Sequence, residues 1–413
     1  MMVSASDKRA RRNGRMASLL FGAVLALGAA FPGKALADRS FERWVASFWP
    51  TAHAAGVSRA TYDAALSGLT PDADTIRLME KQSEFVKPIW DYLGSAVSDT
   101  RVETGRQMLK DYAEVLSRIE RRFGVDKEVV LAVWGMETNY GSFKGEHYVV
   151  RALATLAYAA PRRQSFWQQE LVTALLIIQA GHVRPADMEG SWAGAMGHTQ
   201  FMPTSWKRFS ADYDGDGRHD IWTNVPDALA STANYLKQHG WVSGKTWGYE
   251  VTLPRGFNYG LADGETTLSL AEWARHGVTR TGGRSFPRPD DRAELILPAG
   301  ANGPAFLMLK NFFVIKRYNN ANAYALAVGH LADRIRGGEP LRTAWPLNAL
   351  PLSREQTVDL QNLLNRRGFS VGEADGMVGP ATRRGIMAYQ RAVGLVPDGY
   401  ASVILLQAIR SDG

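Results

Sequence analysis

One carboxylate in this sequence falls where a folded chain would normally avoid placing a charge. Val130, Val133 and Trp134 recur at the i, i+3, i+4 spacing of a buried helix face, and seven positions on from Val130 comes Glu137. Gly141 follows at a natural helix C′ position, which puts Glu137 in the last helical turn, facing the apolar side. A carboxyl held against Trp and Val loses hydration in its charged form. Its pKa rises, and it becomes suited to general-acid work. Two readings stay open from this segment alone: a protonated acid in a site, or a helix-terminal Glu capped by nearby donors.

The N-terminus bears on compartment. Lys8, Arg9, Arg11, Arg12 and Arg15 precede an apolar run from Ala17 to Phe31, and Ala35-Leu36-Ala37 supplies a small-x-small cleavage site. Residues 1–37 therefore read as a secretory signal peptide, with an uncleaved membrane anchor as the alternative. The expected mature protein is exported, soluble and periplasmic. The whole chain carries a net charge of +7, but 1–37 holds six Lys/Arg and one Asp, leaving 42 basic and 40 acidic residues, a net of +2. A nucleic-acid partner thereby loses most of its support. With no cysteine among 413 residues, the fold must rest on its core, and attachment of lipid through a cysteine is excluded.

From Asp38 to about Gly240 the pattern is mainly helical, as in Thr104–Phe123, Ser165–Ala180 and Asp227–His239. Tyr249–Leu253, Ala293–Leu297 and Phe312–Tyr318 read instead as strands, and a helix from Ala321 to Ile335 closes this region. Gly337 to Leu352 contains Gly-Gly and three prolines, so residues 339–352 read as a linker between a domain at 38–338 and a small unit at 353–410. That unit shows three short amphipathic helices, around Leu360, Ile386 and Leu405, and two Asp-Gly turns at Asp375-Gly376 and Asp398-Gly399. It reads as a binding module or a structural tail.

Gly190-Ser-Trp-Ala-Gly-Ala-Met-Gly197 lets backbone approach backbone or a ligand closely, while Ser191 and Gln200 add hydrogen-bonding groups to an apolar stretch. Alone, this segment fits tight packing as well as it fits a site. Together with Glu137-Thr-Asn-Tyr-Gly141, Ala154-Thr-Leu-Ala-Tyr158, Pro161-Arg-Arg163, Gln200-Phe-Met-Pro-Thr-Ser205 and Arg317-Tyr-Asn-Asn320, it resembles the B-type lytic murein transglycosylases. The unit at 353–410 resembles the peptidoglycan-binding domain attached to many cell-wall enzymes, through Leu360-Gln-Asn-Leu-Leu364, Asp375-Gly-Met-Val-Gly-Pro-Ala-Thr382 and Asp398-Gly399.

The resemblance implies an α+β, mainly α chain: a lysozyme-like catalytic core with helical additions, a small β-rich subdomain and a three-helix C-terminal module. It implies cleavage of the β-1,4 bond between N-acetylmuramic acid and N-acetylglucosamine, leaving a 1,6-anhydro end. Mapped by motif, Glu137 is the catalytic acid, and Ser191, Gln200, Tyr318 and Asn319 line the muramic-acid site. Arg162 and Arg163 would lie near the glycan or its peptide stem. Trp192, beside Ser191, is the candidate aromatic wall of the cleft. A hydrolase of the same fold and a non-catalytic wall-binding protein are the alternatives. The expected partner is the glycan strand, engaged by a monomer, and no cofactor is expected for catalysis.

Asp212-Tyr-Asp214-Gly-Asp216-Gly-Arg218-His-Asp220 places oxygen donors at positions 1, 3, 5 and 9 of an EF-hand-like loop, with the Arg218 carbonyl at 7. Position 12 is Thr223 instead of Glu, and Asp227 is the nearest acid able to close the shell. A structural Ca²⁺ site, weak or sodium-tolerant, is the expectation, against a solvated Asp/Gly turn. The resembled family carries a loop of this kind.

Overall fold

The computed structural model of the protein describes residues 32–80 and 87–412. The expected export signal lies outside the described residues, except for 32–37, whose backbone begins the first helix. Helices α1 (Pro32–Ala54), α2 (Arg59–Leu66), α3 (Ala73–Glu80), α4 (Ile89–Ala96), α5 (Asp99–Asp111) and α6 (Ala113–Phe123) lead to α7 (Lys127–Thr138), in which Val129 to Gly135 are all buried. The stretch read as one helix over 104–123 is two, because Tyr112 leaves helical geometry at φ −107°, ψ 22°.

Beyond α7 come β1 (His147–Tyr148), α8 (Val149–Ala159), α9 (Gln164–Gln179), β2 (Glu189–Gly190), α10 (Pro203–Phe209) and α11 (Val225–Gln238). The β-rich region holds β3 (Gly248–Thr252), β4 (Thr267–Ser269), α12 (Leu270–Arg275), β5 (Thr279–Arg280), β6 (Arg292–Ile296) and β7 (Ala305–Met308). These strands form an antiparallel sheet in the order β4-β6-β7-β3-β5. All four residues of β7 are buried because each of its faces meets a core. Phe306 and Met308 join the helical core, while Ala305 and Leu307 pack with Leu270 and Trp273. Two-sided burial explains its unbroken apolar run, which gives no alternation to read.

Phe312–Tyr318, read as a strand from its β-branched and aromatic content, belongs to helix α13 (Lys310–Tyr318). Asn311, Phe312, Val314 and Ile315 are its buried positions, a helical stripe that local β-preference concealed. Helix α14 (Asn322–Ile335) then runs antiparallel to α7. Arg336, just past its end, donates to Asp126 Oδ2 (2.9 Å) and Glu128 Oε2 (3.1 Å) at the start of α7. Tyr324, near the beginning of α14, meets Glu137 at the end of α7. Each helix spans about 17 Å between these two clamps, so the pair is fixed at both ends.

The segment 339–352 has the irregular backbone expected of its prolines, but it is a docked strap and not a free spacer. The Arg342 and Thr343 N–H groups donate to the Glu250 carboxylate, and the Trp345 ring lies 6.3 Å from that of Trp90. The last unit comprises α15 (Arg354–Arg366), α16 (Pro380–Ala392) and α17 (Val403–Ser411) around its own core of Leu360, Leu364, Ile386, Tyr389, Leu406 and Ile409. Each Asp-Gly turn is held by a buried glutamine. Gln361 receives the Gly376 N–H and donates to Asp375, while Gln390 receives the Gly399 N–H and donates to Asp398. Each glycine has a positive φ, which its missing Cβ makes inexpensive.

Candidate active site

Helix α7 ends at Thr138, earlier than the sequence pattern suggested. Asn139 (φ 48°), Tyr140 (φ 58°) and Gly141 (φ 82°) all adopt left-handed backbone, where glycine alone was expected to supply it. Each residue with a side chain costs roughly 1–2 kcal/mol in that region, so the turn must be held by its surroundings. Trp134 Nε1 donates to His198 Nδ1 (3.0 Å), Thr138 Oγ1 accepts the Gly141 N–H (3.0 Å), and the Tyr140 hydroxyl donates to the Arg101 carbonyl (2.9 Å). A Cβ on Gly141 would stand 2.4 Å from the His198 ring. Burial pushes His198 down to about 4, so it stays neutral and can accept from Trp134.

This turn closes the end of α7, in whose last helical turn Glu137 lies. The Tyr324 hydroxyl donates to Glu137 Oε1 at 2.5 Å. Burial pushes the carboxyl up to about 7, with the Tyr324 bond working in the other direction; among the described residues, neither a cation nor another carboxylate contributes. Tyr318 and Tyr92 sense its charge as well, so three phenols gather around one acid.

Ser191 Oγ accepts the N–H groups of Ala193 (3.3 Å) and Ala195 (3.0 Å). With its lone pairs engaged, the hydroxyl has its proton left to donate. Gln200, at φ 50°, donates through Nε2 to the Lys144 and Gly197 carbonyls (both 3.0 Å), which leaves Oε1 to accept. Glycine is required where this loop folds on itself: a Cβ on Gly190 would lie 2.0 Å from the Ala195 carbonyl oxygen. Tyr318 donates to the Thr199 carbonyl (2.7 Å), tying the end of α13 to the same loop, with Asn319 exposed beside it.

Arg162 and Arg163 are exposed at the turn between α8 and α9, where the Arg163 guanidinium lies 4.1 Å over the Phe166 ring. Trp192 is half-buried, and its carbonyl accepts from the Thr75 hydroxyl. No hydrogen bond or ion pair joins any of the three to Glu137. Tyr324 and Tyr92 were not singled out from sequence. The available signal was weak: a Tyr on the buried face of a helix needs a partner for its hydroxyl, but the pattern does not say which.

In the acidic loop, carboxylate oxygens of Asp212, Asp214 and Asp227 lie within 4.8 Å of one another. Asp227 is fully buried, accepts the N–H groups of Tyr213 and Asp220, and is held above its ordinary carboxylate range by burial and by Asp214 and Asp212. Three converging carboxylates repel unless a cation lies among them, and an all-oxygen donor set suits a hard ion such as Ca²⁺. Asp216 stands outside this cluster and accepts the Arg218 N–H, while Thr223 bonds to Asp220.

Residues 40–333 match the transglycosylase SLT domain family. The chain belongs to that family. Residues 353–409 match the putative peptidoglycan binding domain. The membrane-bound lytic murein transglycosylase B of Escherichia coli is 34% identical over 270 residues, covering 63% of this chain and 73% of that protein. SltB3 of Pseudomonas aeruginosa, solved with NAG-anhNAM-pentapeptide, is 46% identical, with a TM-score of 0.87 over 90% of this chain and 99% of that one. The Escherichia coli lytic transglycosylase Slt35, solved with calcium, is 30% identical, with a TM-score of 0.59 over 72% of this chain and 93% of that one. The protein is thus a lytic transglycosylase acting on peptidoglycan, built on a lysozyme-like core. Among its described residues, no helix is long and apolar enough to cross a membrane.

Proposed function

We propose that Glu137 is the single acid–base group of this transglycosylase, and that the bond cleaved joins N-acetylmuramic acid to N-acetylglucosamine. The carrying observation is one carboxyl, desolvated and held near 7, with a phenol donor at 2.5 Å and, among the described residues, no second carboxylate acting on it. As the protonated acid, Glu137 gives its proton to the departing glycosidic oxygen. As the carboxylate, it takes the proton of the muramic-acid 6-hydroxyl, which attacks the anomeric carbon and closes the 1,6-anhydro ring. Both steps balance through one group, whereas hydrolysis in lysozyme-like sites uses a second carboxylate. Tyr324 fixes the carboxyl, the Ser191 hydroxyl donates to the sugar, and Gln200 Oε1 accepts from it. Asn319 lines the same end of the cleft, and Trp192, Arg162 and Arg163 meet the strand farther out.

The acidic loop would hold Ca²⁺ through Asp212, Asp214 and Asp227, as a structural ion that braces α11 against the segment before it. The module at 353–410 supplies affinity for the wall, and the enzyme works after export, in the periplasm. Incubating purified peptidoglycan with the wild type and Glu137→Gln, then weighing the soluble products, tests the central step. Products lighter than hydrolysis products by one water are expected from the wild type only. Reducing-end products, or cleavage by the variant at a near-wild-type rate, would sink this reading.

A further inference from the structure

Gln200 can accept from a sugar only while its amide keeps one orientation, and the two carbonyls that fix it are both set by one distant segment. Gln200 Nε2 donates to the Gly197 and Lys144 carbonyls (both 3.0 Å). Gly197 packs on the Ile221 carbonyl oxygen, which would stand 2.4 Å from a Cβ at that position and which accepts the His198 N–H (2.8 Å). Lys144 reaches the next residue along: its ammonium donates to the Trp222 carbonyl at 2.7 Å, across 78 positions of chain. The acidic loop holds this segment in turn. Asp220 Oδ1 accepts the Trp222 N–H, and Asp227 Oδ2 accepts the Asp220 N–H (both 2.9 Å). Gly145, after Lys144, has no room for a side chain, since a Cβ would lie 2.1 Å from the Gly190 carbonyl oxygen. Residue 144 is therefore pinned between β2 on one side and Trp222 on the other. Among the described residues, its ammonium has no other hydrogen bond and no ion pair, although the residue is half-buried. Keeping a cation partly out of water costs desolvation that one neutral carbonyl offsets only in part, so packing alone does not account for a lysine here.

Resting on the reading of Gln200 above as an acceptor for the sugar, we propose that Lys144 is a positioning residue: through its Nζ–Trp222 bond it keeps its own carbonyl on Gln200 Nε2, and so keeps Gln200 Oε1 turned to the substrate. A side-chain amide places its oxygen and nitrogen almost interchangeably, and a half-turn about the last torsion exchanges an acceptor for donors. With one of its two carbonyls released, Gln200 gains that alternative, and a sugar hydroxyl seeking an acceptor would meet an N–H. The Gln200 backbone, at φ 50°, lies in a region unfavourable to a residue with a side chain, so it depends on such tethers to stay in place. The same run of bonds makes the acidic loop part of the frame of the sugar site.

The test compares KM and kcat on solubilised glycan strands for the full chain and for Lys144→Met, which keeps the length of the side chain and removes its donors. KM should rise roughly fivefold, the scale of one lost hydrogen bond, with kcat nearly unchanged. Gln200→Ala should show the same split between the two constants. Lys144→Gln, too short to reach Trp222, should match Lys144→Met, and Lys144→Arg, which can still donate to the Trp222 carbonyl, should recover most of the loss. In a Gln200→Ala background, Lys144→Met should add nothing further, because the lysine acts through that amide. A lysine that merely supported the fold would instead add its full effect. Full additivity, an unchanged KM in Lys144→Met, or a loss confined to kcat would overturn the proposal while leaving the reading of Gln200 intact. An unchanged KM in Gln200→Ala would remove that reading, and the proposal with it.

Discussion

At the residue scale, the fold sustains a carboxyl that it destabilises when charged. Glu137 has an ordinary value near 4.5 and a folded value near 7, so the folded state binds the extra proton between these limits. Stability from this group is therefore present at low pH and is lost as pH rises through about 7. A shift of this size corresponds to about 3 kcal/mol. Glu137→Gln should accordingly be more stable than the wild type at pH 8, by about 2–3 kcal/mol in chemical denaturation, and should lose that advantage near pH 4. An equal difference at both pH values would mean that the side chain is not desolvated. The rate should follow the same group: with Glu137 as the acid, kcat/KM should fall on the alkaline side of about pH 7. A profile still rising at pH 9 would require a different proton donor.

At the element scale, the turn after α7 and the acidic loop before α11 each concentrate an unfavourable arrangement that neighbouring groups must offset. Gly141→Ala would bring a Cβ to 2.4 Å from the His198 ring at a φ of 82°, so the Trp134–His198 bond and the aim of Glu137 would shift together. The variant should lose at least about 1 kcal/mol of stability and most of its turnover. Near-normal turnover would mean that the turn tolerates more freedom than its packing implies. In the acidic loop, millimolar Ca²⁺ should raise the melting temperature of the chelator-treated protein. A ligand bound only by the folded state adds about 2.7 kcal/mol at a hundredfold excess over its Kd. Asp214→Asn should flatten this response with little cost to the fold, because Asp214 shares the three-carboxylate cluster but is exposed, whereas Asp227 is fully buried. If the wild type shows no shift, the loop is an ordinary turn.

At the scale of the whole molecule, the module has its own core, but its surroundings make it part of a larger surface. Removing everything after Gly338 takes Trp345 from Trp90 and the strap's N–H donors from Glu250. A cut after Leu347 leaves those contacts in place. The shorter product should melt lower than the one ending at Leu347, and both should sediment less with intact sacculi than the full chain, because tethering a binder raises local substrate concentration. Undiminished sedimentation would assign wall affinity to the catalytic domain.

The sequence by itself determined the position of Glu137 on a helix face, the run of helices before the sheet, the three-helix tail and its Asp-Gly turns. These follow from periodicity and turn chemistry, which act over a few residues. Only the tertiary structure decided that Phe312–Tyr318 is helical, that β7 is buried on both faces, and that the proline-rich strap is docked. It also decided that Tyr324 reaches Glu137 across 187 positions of chain. In each of these, the deciding energy comes from burial against a distant element or from a hydrogen bond across the fold, and no local pattern encodes such partners.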